Sequence, residues 1–180
     1  LVCVNPVSNL VYITCISKES LYIVSGLDGS VIHTMDISLM PEAITLNPRT
    51  GCVYIVSGNK PNGVIVLEED TFSVKANIPI GSGSGFAAVN FGSDLVYIPS
   101  FLENCVYVLS GEGSNLHTTI RQGVGYSPFG VAVNQSTGRV YVTNYNSSSI
   151  SVIDGQSHDV IENIAVGKGP RGITVNEQTD

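Results

Sequence analysis

An asparagine that returns at intervals of 42, 43, 44 and 42 residues constrains the fold of this chain more than any other feature. Each of these asparagines closes a short apolar run, and a tyrosine follows in the same phase in the first four copies. The recurring residues are Asn5, Asn47, Asn90, Asn134 and Asn176, with Tyr12, Tyr54, Tyr97 and Tyr141. Such a period indicates one supersecondary unit of about forty residues that is repeated along the chain.

The copy at residues 130–170 shows the content of the unit most clearly. It holds four short segments rich in Val, Ile, Tyr and Thr, which are separated by Gly, Pro, Asn, Asp and Ser. These features predict four strands joined by tight turns, and no window predicts a helix. Apolar residues fill both faces in Val140-Tyr141-Val142, a pattern typical of a strand that is buried on both sides.

Four-stranded units of this length are typical of β-propeller blades, which are packed face to face. The sequence therefore predicts an all-β chain with four four-stranded antiparallel blades at about residues 1–41, 42–85, 86–129 and 130–170. Residues 171–180 repeat the beginning of the unit with Ile173-Thr174-Val175-Asn176. We expect the first strand of a fifth blade there, which makes the chain part of a larger propeller.

A family resemblance emerges in the fourth copy. Its Tyr141-Val142-Thr143-Asn144, preceded by residues 130–134 and Thr137-Gly138, resembles the YVTN β-propeller repeat of archaeal and bacterial surface-layer-like proteins. The other copies depart from the motif and read Tyr12-Ile13-Thr14-Cys15, Tyr54-Ile55-Val56-Ser57 and Tyr97-Ile98-Pro99-Ser100. The resemblance implies a rigid secreted or envelope-attached scaffold. The family also includes relatives of redox enzymes whose cofactors are held outside the repeat consensus.

Charge and hydropathy exclude two classes of partner. Fifteen acidic residues against eight basic ones give a net charge of -7, which repels nucleic acid. No apolar stretch reaches the 18 or more residues of a membrane-spanning helix. We therefore expect neither nucleic-acid binding nor membrane insertion.

Residues that commonly hold metals or catalyse reactions do not form a recognisable pattern. Cys3, Cys15, Cys52 and Cys105 include no C-x-x-C pair, which argues against zinc and leaves buried free thiols or a disulfide as alternatives. His33, His117 and His158 fall in or just before the outermost strand, so we expect them at the rim. The sequence predicts no catalytic residue, no metal and no cofactor.

Two local runs are interpreted as turns. The acidic run Glu68-Glu69-Asp70 lies in a predicted hairpin turn, where we expect its charges to be solvated. The glycines of residues 81–85 resemble a phosphate loop, but a strand follows them where such a loop needs a helix. We interpret them as a turn between blades.

Loops on one face of the predicted propeller carry the candidate binding residues. These loops join the second strand of each blade to the third, and consecutive blades to each other, and their side chains differ between copies. The candidates are Lys18, Lys60, Phe101, Glu103, Tyr126, Phe129 and Tyr145. Exposed aromatic rings can anchor a protein partner or stack on a sugar. The alternative is that Phe101 and Phe129 fill gaps between blades.

Two sequons would permit N-glycosylation, at Asn134-Gln135-Ser136 and Asn146-Ser147-Ser148. Because Asn134 belongs to the recurring set, we expect its side chain to cap its own turn. Asn146 lies in a polar loop and is the better candidate.

The favoured function is a non-enzymatic structural or binding module of a secreted or cell-surface protein, with a protein or a glycan as partner. One alternative is a segment of a lactonase-like or quinone- or copper-dependent redox propeller enzyme, with catalytic residues in missing blades. Another is an assembly subunit of an extracellular filament or layer, completed by further blades or by a second copy.

Overall fold

The computed structural model describes residues 1–38, 40–59 and 63–177. Within these ranges, sixteen strands form four antiparallel sheets, and each sheet uses four consecutive strands in sequence order. The described helical structure is one 3₁₀ turn at Ile16–Lys18. The all-β prediction with four four-stranded antiparallel sheets is therefore confirmed.

The strands have the following bounds. Sheet 1 contains β1 (Val2–Asn5), β2 (Leu10–Cys15), β3 (Ser20–Ser25) and β4 (Val31–Asp36). Sheet 2 contains β5 (Ala43–Asn47), β6 (Cys52–Ser57), β7 (Gly63–Glu68) and β8 (Ser73–Ile78). Sheet 3 contains β9 (Ala88–Asn90), β10 (Leu95–Ser100), β11 (Cys105–Ser110) and β12 (Leu116–Ile120). Sheet 4 contains β13 (Pro128–Val133), β14 (Arg139–Asn144), β15 (Ser149–Asp154) and β16 (Val160–Ala165).

The sheets pack face to face, with the first strands of successive sheets side by side. Contacts join β1 to β5, β5 to β9, and β9 to β13. Three apolar layers fill the spaces between sheets 1 and 2, sheets 2 and 3, and sheets 3 and 4. Every residue of β6 and β10, in the two middle sheets, is buried. Burial on both faces is the physical reason that these strands are apolar at successive positions.

Four of the five recurring asparagines each cap a turn in their own sheet. The Oδ1 atoms of Asn5, Asn47, Asn90 and Asn134 accept hydrogen bonds from backbone N–H groups two residues later, at 2.9 to 3.0 Å. These four asparagines are all at most 2% exposed. Because an Asx turn needs this side chain at this position, the repeat of asparagine follows directly from the repeat of the turn.

The amide nitrogens of three of these asparagines link successive sheets. Asn5 donates to Glu69, Asn47 donates to the Asp94 carboxylate at 2.8 Å, and Asn90 donates to the Gly138 carbonyl at 3.3 Å. Each acceptor belongs to a turn of the next sheet. One side chain thus closes a turn and also connects the blade to its neighbour.

The recurring tyrosines lie in the layers between sheets. Tyr54 donates its hydroxyl to the Gly111 carbonyl at 2.6 Å, and Tyr97 donates to the Gly155 carbonyl at 3.1 Å. Both rings are 0% exposed, and burial raises the pKa of Tyr97 to about 12. Tyr141, in sheet 4, is only partly buried, because no further sheet packs on it within the described residues.

The acidic turn after β7 differs from its prediction. Glu69 is only partly exposed, and its carboxylate accepts hydrogen bonds from Asn5, Ser8 and Tyr12, the last two at 2.7 Å. Burial, and then this contact with Glu69, raises the pKa of Tyr12. The expectation of fully solvated charge is wrong for Glu69, because sheet 1 packs against this turn and brings three donors to it. Asp70 is exposed, as expected.

The end of the described chain also differs from expectation. Residues 171–177 form no strand, so the predicted first strand of a fifth blade is absent from the described residues. In each observed sheet the first strand pairs with the second, and the described residues after 170 offer no second strand. Sheet 4 also begins at Pro128, two residues before the predicted boundary at 130.

The four cysteines are free thiols. Cys52 and Cys105 are buried, whereas Cys3 and Cys15 are partly buried. Burial raises the pKa of the Cys3 and Cys105 thiols, and a hydrogen bond with Ser17 lowers that of Cys15. Of the two alternatives that the sequence leaves open, the structure has the free thiols.

Across the described ranges, no helix has both the length and the apolar character to cross a membrane.

Candidate functional site

Three phenylalanine rings form one wall of a pocket at the end of the sheets where second strands turn into third strands. Phe86 precedes β9, Phe101 follows β10, and Phe129 lies in β13. The ring centroids of Phe86 and Phe129 are 5.6 Å apart in an edge-to-face arrangement, and those of Phe101 and Phe129 are 5.8 Å apart. The pocket has a volume of about 310 Å³. Its other lining residues are Leu1, Ile16, Pro41, Glu42, Ser84 and Gly85.

The glycine-rich loop between sheets 2 and 3 positions Phe86. The N–H of Gly83 donates to the Gly58 carbonyl at 2.9 Å, and the N–H of Gly85 donates to the Pro99 carbonyl at 2.7 Å. The N–H of Phe86 then donates to the Phe129 carbonyl at 3.1 Å. A Cβ atom at Gly85 would lie 2.2 Å from that carbonyl oxygen, so only glycine lets the two segments approach this closely. The loop thus joins sheets, as predicted.

Two polar residues line this mainly apolar pocket. The Glu42 carboxylate accepts hydrogen bonds from the Gly58 N–H at 3.0 Å and from Asn59 Nδ2 at 2.6 Å. Both donors are neutral, and no basic side chain in the described part of the chain forms an ion pair with Glu42. The Ser84 hydroxyl is buried and has no hydrogen-bond partner among the described residues. The pocket wall therefore contains polar groups that can form further hydrogen bonds.

A cation already contacts the aromatic cluster. The Arg171 guanidinium carbon lies 4.9 Å from the ring centroid of Phe129 and 5.4 Å from that of Tyr145. These distances are within the range of cation–π attraction, in which the ring face carries the negative electrostatic potential. Arg171 itself is exposed, and Tyr145 is 43% exposed.

The structure brings together three of the sequence-predicted binding residues, Phe101, Phe129 and Tyr145. Lys18 and Tyr126 are exposed on the same loop face but do not line the pocket, and the Tyr126 side chain is 69% exposed. Lys60 lies outside the described residues. Phe101 and Phe129 are each partly buried between sheets, so the gap-filling alternative and the binding interpretation both describe part of their environment.

Glu103 braces the loop face and does not line the pocket. Its carboxylate accepts hydrogen bonds from the Tyr107 hydroxyl at 2.6 Å and the Ser82 N–H at 3.2 Å, and it forms an ion pair with Arg121 at 3.3 Å. The Tyr107 hydrogen bond is the main cause that lowers the pKa of Glu103. The side chain thus connects β11 and β12 to the loop before β9.

Phe86, Glu42 and Arg171 are pocket or cluster residues that sequence reasoning missed. A signal for two of them exists, because the position five residues before the recurring asparagine holds Glu42, Gly85, Phe129 and Arg171 in successive copies. The residue at that position differs in every copy. In sheets 2 to 4 it lies between three residues before the first strand, at Gly85, and the second residue of that strand, at Phe129. Phe86 directly follows Gly85, and no comparable variation at its own position points to it.

The two sequons differ in accessibility. Asn134 is 2% exposed, and its Oδ1 accepts hydrogen bonds from the Ser136 and Thr137 N–H groups, so the folded chain offers no room for a glycan there. Asn146 is exposed and donates to the Ser127 hydroxyl at 2.7 Å. Asn146 therefore stays the better candidate, and its glycosylation stays a prediction.

Two of the three histidines meet, although their positions in the repeat differ. His117 in β12 and His158 in the turn before β16 have ring centroids 5.4 Å apart, because sheets 3 and 4 stack at this edge. His33 lies elsewhere and stacks on Phe72 at 5.4 Å. In the described ranges, no group of three or more His, Cys, Asp and Glu residues is arranged to hold a metal. The absence of a bound metal stays a prediction.

We expect the protein to lose stability as the pH falls below about 6.5, the ordinary pKa of histidine. Burial, and then the neighbouring His117, lowers the pKa of His158, while Asp154 and Asp159 oppose this. Its Nδ1 atom has no partner among the described residues, and the Tyr97 ring lies 6.3 Å away. Since the unfolded chain binds this proton more readily, the stability present above the unfolded pKa is lost as pH falls through the folded pKa.

Melting temperatures between pH 8 and pH 5 test this expectation. The decline should be several degrees smaller in His158→Gln than in the unchanged chain, and His33→Gln serves as the control. An equal decline in all three proteins would rule out His158 as the cause.

Several known proteins resemble this chain in sequence or in fold. The NHL repeat family matches residues 126–153. Hydrazine synthase of Kuenenia stuttgartiensis has a similar structure, with a TM-score of 0.81 and 18% identity over 92% of this chain and 48% of that one. A functionally unknown protein from Desulfotomaculum acetoxidans gives a TM-score of 0.78, with 17% identity over 95% of this chain and 58% of that one. The chain is a β-propeller repeat protein.

Two further likenesses involve proteins of other kinds. A chain in a nidogen–laminin complex gives a TM-score of 0.73, with 15% identity over 96% of this chain and 66% of that one. The PE-PGRS family protein PE_PGRS18 of Mycobacterium tuberculosis is 44% identical over 62 residues, which are 34% of this chain and 13% of that protein. The chain thus spans 13% of this curated relative and about half to two thirds of the three solved structures. At these identities, the solved structures show the fold alone.

Proposed function

We propose that this chain is a non-enzymatic binding module of a secreted or cell-surface protein. The observation that carries this proposal is the aromatic pocket on the loop face, where Phe86, Phe101 and Phe129 surround about 310 Å³ of space. Large rings that are fixed by a rigid frame and still partly exposed are typical anchors for a partner. A protein or a glycan at the cell surface is the proposed partner.

Two further points support a binding module. The fourth copy resembles the YVTN repeat, which implies an envelope or secreted setting. A chain of the same fold occurs in a complex of nidogen and laminin, so this architecture is found in a protein–protein assembly. The chain of similar fold in hydrazine synthase belongs to an enzyme, but at 18% identity it supports no residue role here. A propeller enzyme stays the alternative for the whole protein.

Peptide and glycan arrays probed with the purified chain test this function. Phe86→Ser removes a ring that is 45% exposed at the pocket, whereas the control Leu27→Ser removes a side chain that is 88% exposed in the turn between β3 and β4, at the opposite end of the sheets. We expect ligands of the unchanged chain to lose at least tenfold in affinity with Phe86→Ser and to keep it with Leu27→Ser. The reverse order of effects would place binding on the other face and contradict the proposal.

Oligomeric state, measured in the same samples, addresses the assembly alternative. Val2 and Val4 in β1 are 62% and 51% exposed on the face of sheet 1 that no described sheet covers. Concentration-dependent sedimentation that Val4→Lys abolishes would favour an assembly subunit over a binding module. We expect sedimentation that Val4→Lys leaves unchanged.

A further inference from the structure

We propose that the pocket receives a cationic side chain, an arginine or a lysine, from a protein partner. This inference deepens the proposed function and rests on it. It assigns the ligand chemistry to four residues of the loop face, Glu42, Phe86, Phe101 and Phe129.

The aromatic wall attracts positive charge. A phenylalanine ring carries negative electrostatic potential on its face, and cations within about 6 Å of a ring centroid are stabilised by it. The ring centroids of Phe86 and Phe101 each lie within 6 Å of that of Phe129, in an edge-to-face and a tilted arrangement respectively. All three rings line the same concave pocket. A cation attached to an apolar stem satisfies both the electrostatics and the apolar lining of such a surface.

Among the described residues, the Glu42 carboxylate at the pocket has no cationic partner. Glu42 is held by the Gly58 N–H and by Asn59, which are neutral donors, and no described basic residue pairs with it. The whole chain carries a net charge of -7, so its overall charge also attracts a cationic ligand. A partly buried carboxylate that is oriented by neutral donors favours a positively charged guest.

The chain itself places a guanidinium on the same aromatic cluster. Arg171 lies over the rings of Phe129 and Tyr145 at 4.9 and 5.4 Å. Arg171 and Glu42 have the same position in the repeat. That position therefore holds a cation in one copy and a carboxylate in another. One ring of the pocket, that of Phe129, therefore interacts with a cation of the kind that we propose for the pocket.

A sugar fits this pocket less well. Sugar hydroxyls need several hydrogen-bonding groups, and the lining offers the Glu42 carboxylate and the Ser84 hydroxyl among apolar side chains. The volume of about 310 Å³ is also at the lower end of the roughly 300–1,000 Å³ of ligand pockets. One side chain matches this size better than an oligosaccharide does.

The test uses the blocked peptide acetyl-Gly-Arg-Gly-amide and its citrulline counterpart, which has nearly the same shape and no charge. Binding is followed by NMR with labelled phenylalanine and by calorimetry. We expect the arginine peptide to bind at least tenfold more tightly than the citrulline peptide and to shift the Phe86 and Phe129 ring signals. Glu42→Gln, which keeps an acceptor for the Gly58 N–H, should lower the affinity about tenfold. Phe86→Leu should lower it to a similar extent.

The matched control is Glu112→Gln, which removes an exposed acid in the turn between β11 and β12, away from the pocket. It should leave the affinity for the arginine peptide unchanged. Equal binding of the arginine and citrulline peptides, or equal effects of Glu42→Gln and Glu112→Gln, would overturn the cation proposal. Ethylguanidinium that binds as tightly as the peptide would overturn the assignment to a protein side chain in favour of a free organic cation.

The same samples separate this inference from the proposed function. If array ligands depend on Phe86 but the arginine peptide does not bind, the binding module stands and the cationic guest is wrong. If neither the array ligands nor the peptide depends on Phe86, both proposals are wrong.

Discussion

Tyr54→Ala is expected to lower the free energy of unfolding by about 3–5 kcal/mol, as for other large aromatic residues removed from a core. The Tyr54 ring is 0% exposed in the layer between sheets 2 and 3, and its hydroxyl donates to the Gly111 carbonyl at 2.6 Å. The substitution leaves a cavity in a layer that two rigid sheets cannot close. Urea denaturation, followed by circular dichroism, measures the change.

Tyr141→Ala is the matched control, because Tyr141 has the same position in the repeat but is only partly buried. Its cost should be no more than about 1 kcal/mol. Tyr54→Phe separates the ring from the hydroxyl and should cost about 1 kcal/mol, since Thr50 also donates to the Gly111 carbonyl. Similar losses for Tyr54→Ala and Tyr141→Ala would contradict the packing of sheet 3 on Tyr54.

Glu69→Ala is expected to lower the free energy of unfolding by about 2–4 kcal/mol, because two buried donors lose their acceptor. Asn5 and Tyr12 are 2% and 1% exposed, and both donate to the Glu69 carboxylate. The measurement is again urea denaturation at neutral pH.

Asp70→Ala provides the control for Glu69→Ala, because it removes an exposed carboxylate next to it in the chain. We expect a change within about 0.5 kcal/mol. Combining Glu69→Ala with Tyr12→Phe should cost less than the sum of the single changes, since the two groups share one hydrogen bond. Additive costs, or equal costs for Glu69 and Asp70, would show that this contact contributes nothing to stability.

Particular residues show how far the sequence predicts the site. Phe101, Phe129 and Tyr145 lie on one loop face, because position in the repeat determines the end of the sheet at which a loop lies. That they bind a partner stays a prediction. Position in the repeat does not show which side chains at that end of the sheets contact each other. Glu103 has the same kind of position, yet it binds Tyr107 and Arg121 and braces the loop.

The sequence alone determines the repeating unit of this protein. The recurring asparagine closes a turn within its own sheet, and the apolar runs form strands, of which β6 and β10 in the two middle sheets are buried on both faces. Both features recur in successive copies, so they leave a regular mark in the chain. The four antiparallel sheets and their order follow from that mark.

Only the tertiary structure decides which residues meet between sheets. The pocket combines one residue from each of four repeats. These are Ile16 between β2 and β3, Glu42 before β5, Phe101 between β10 and β11, and Phe129 in β13. Glu69 likewise collects donors from the preceding sheet, 57 to 64 residues away. Such contacts depend on how tightly neighbouring sheets pack and on which side chains extend across the interface. Because these properties differ from one copy to the next, they leave no periodic mark in the sequence.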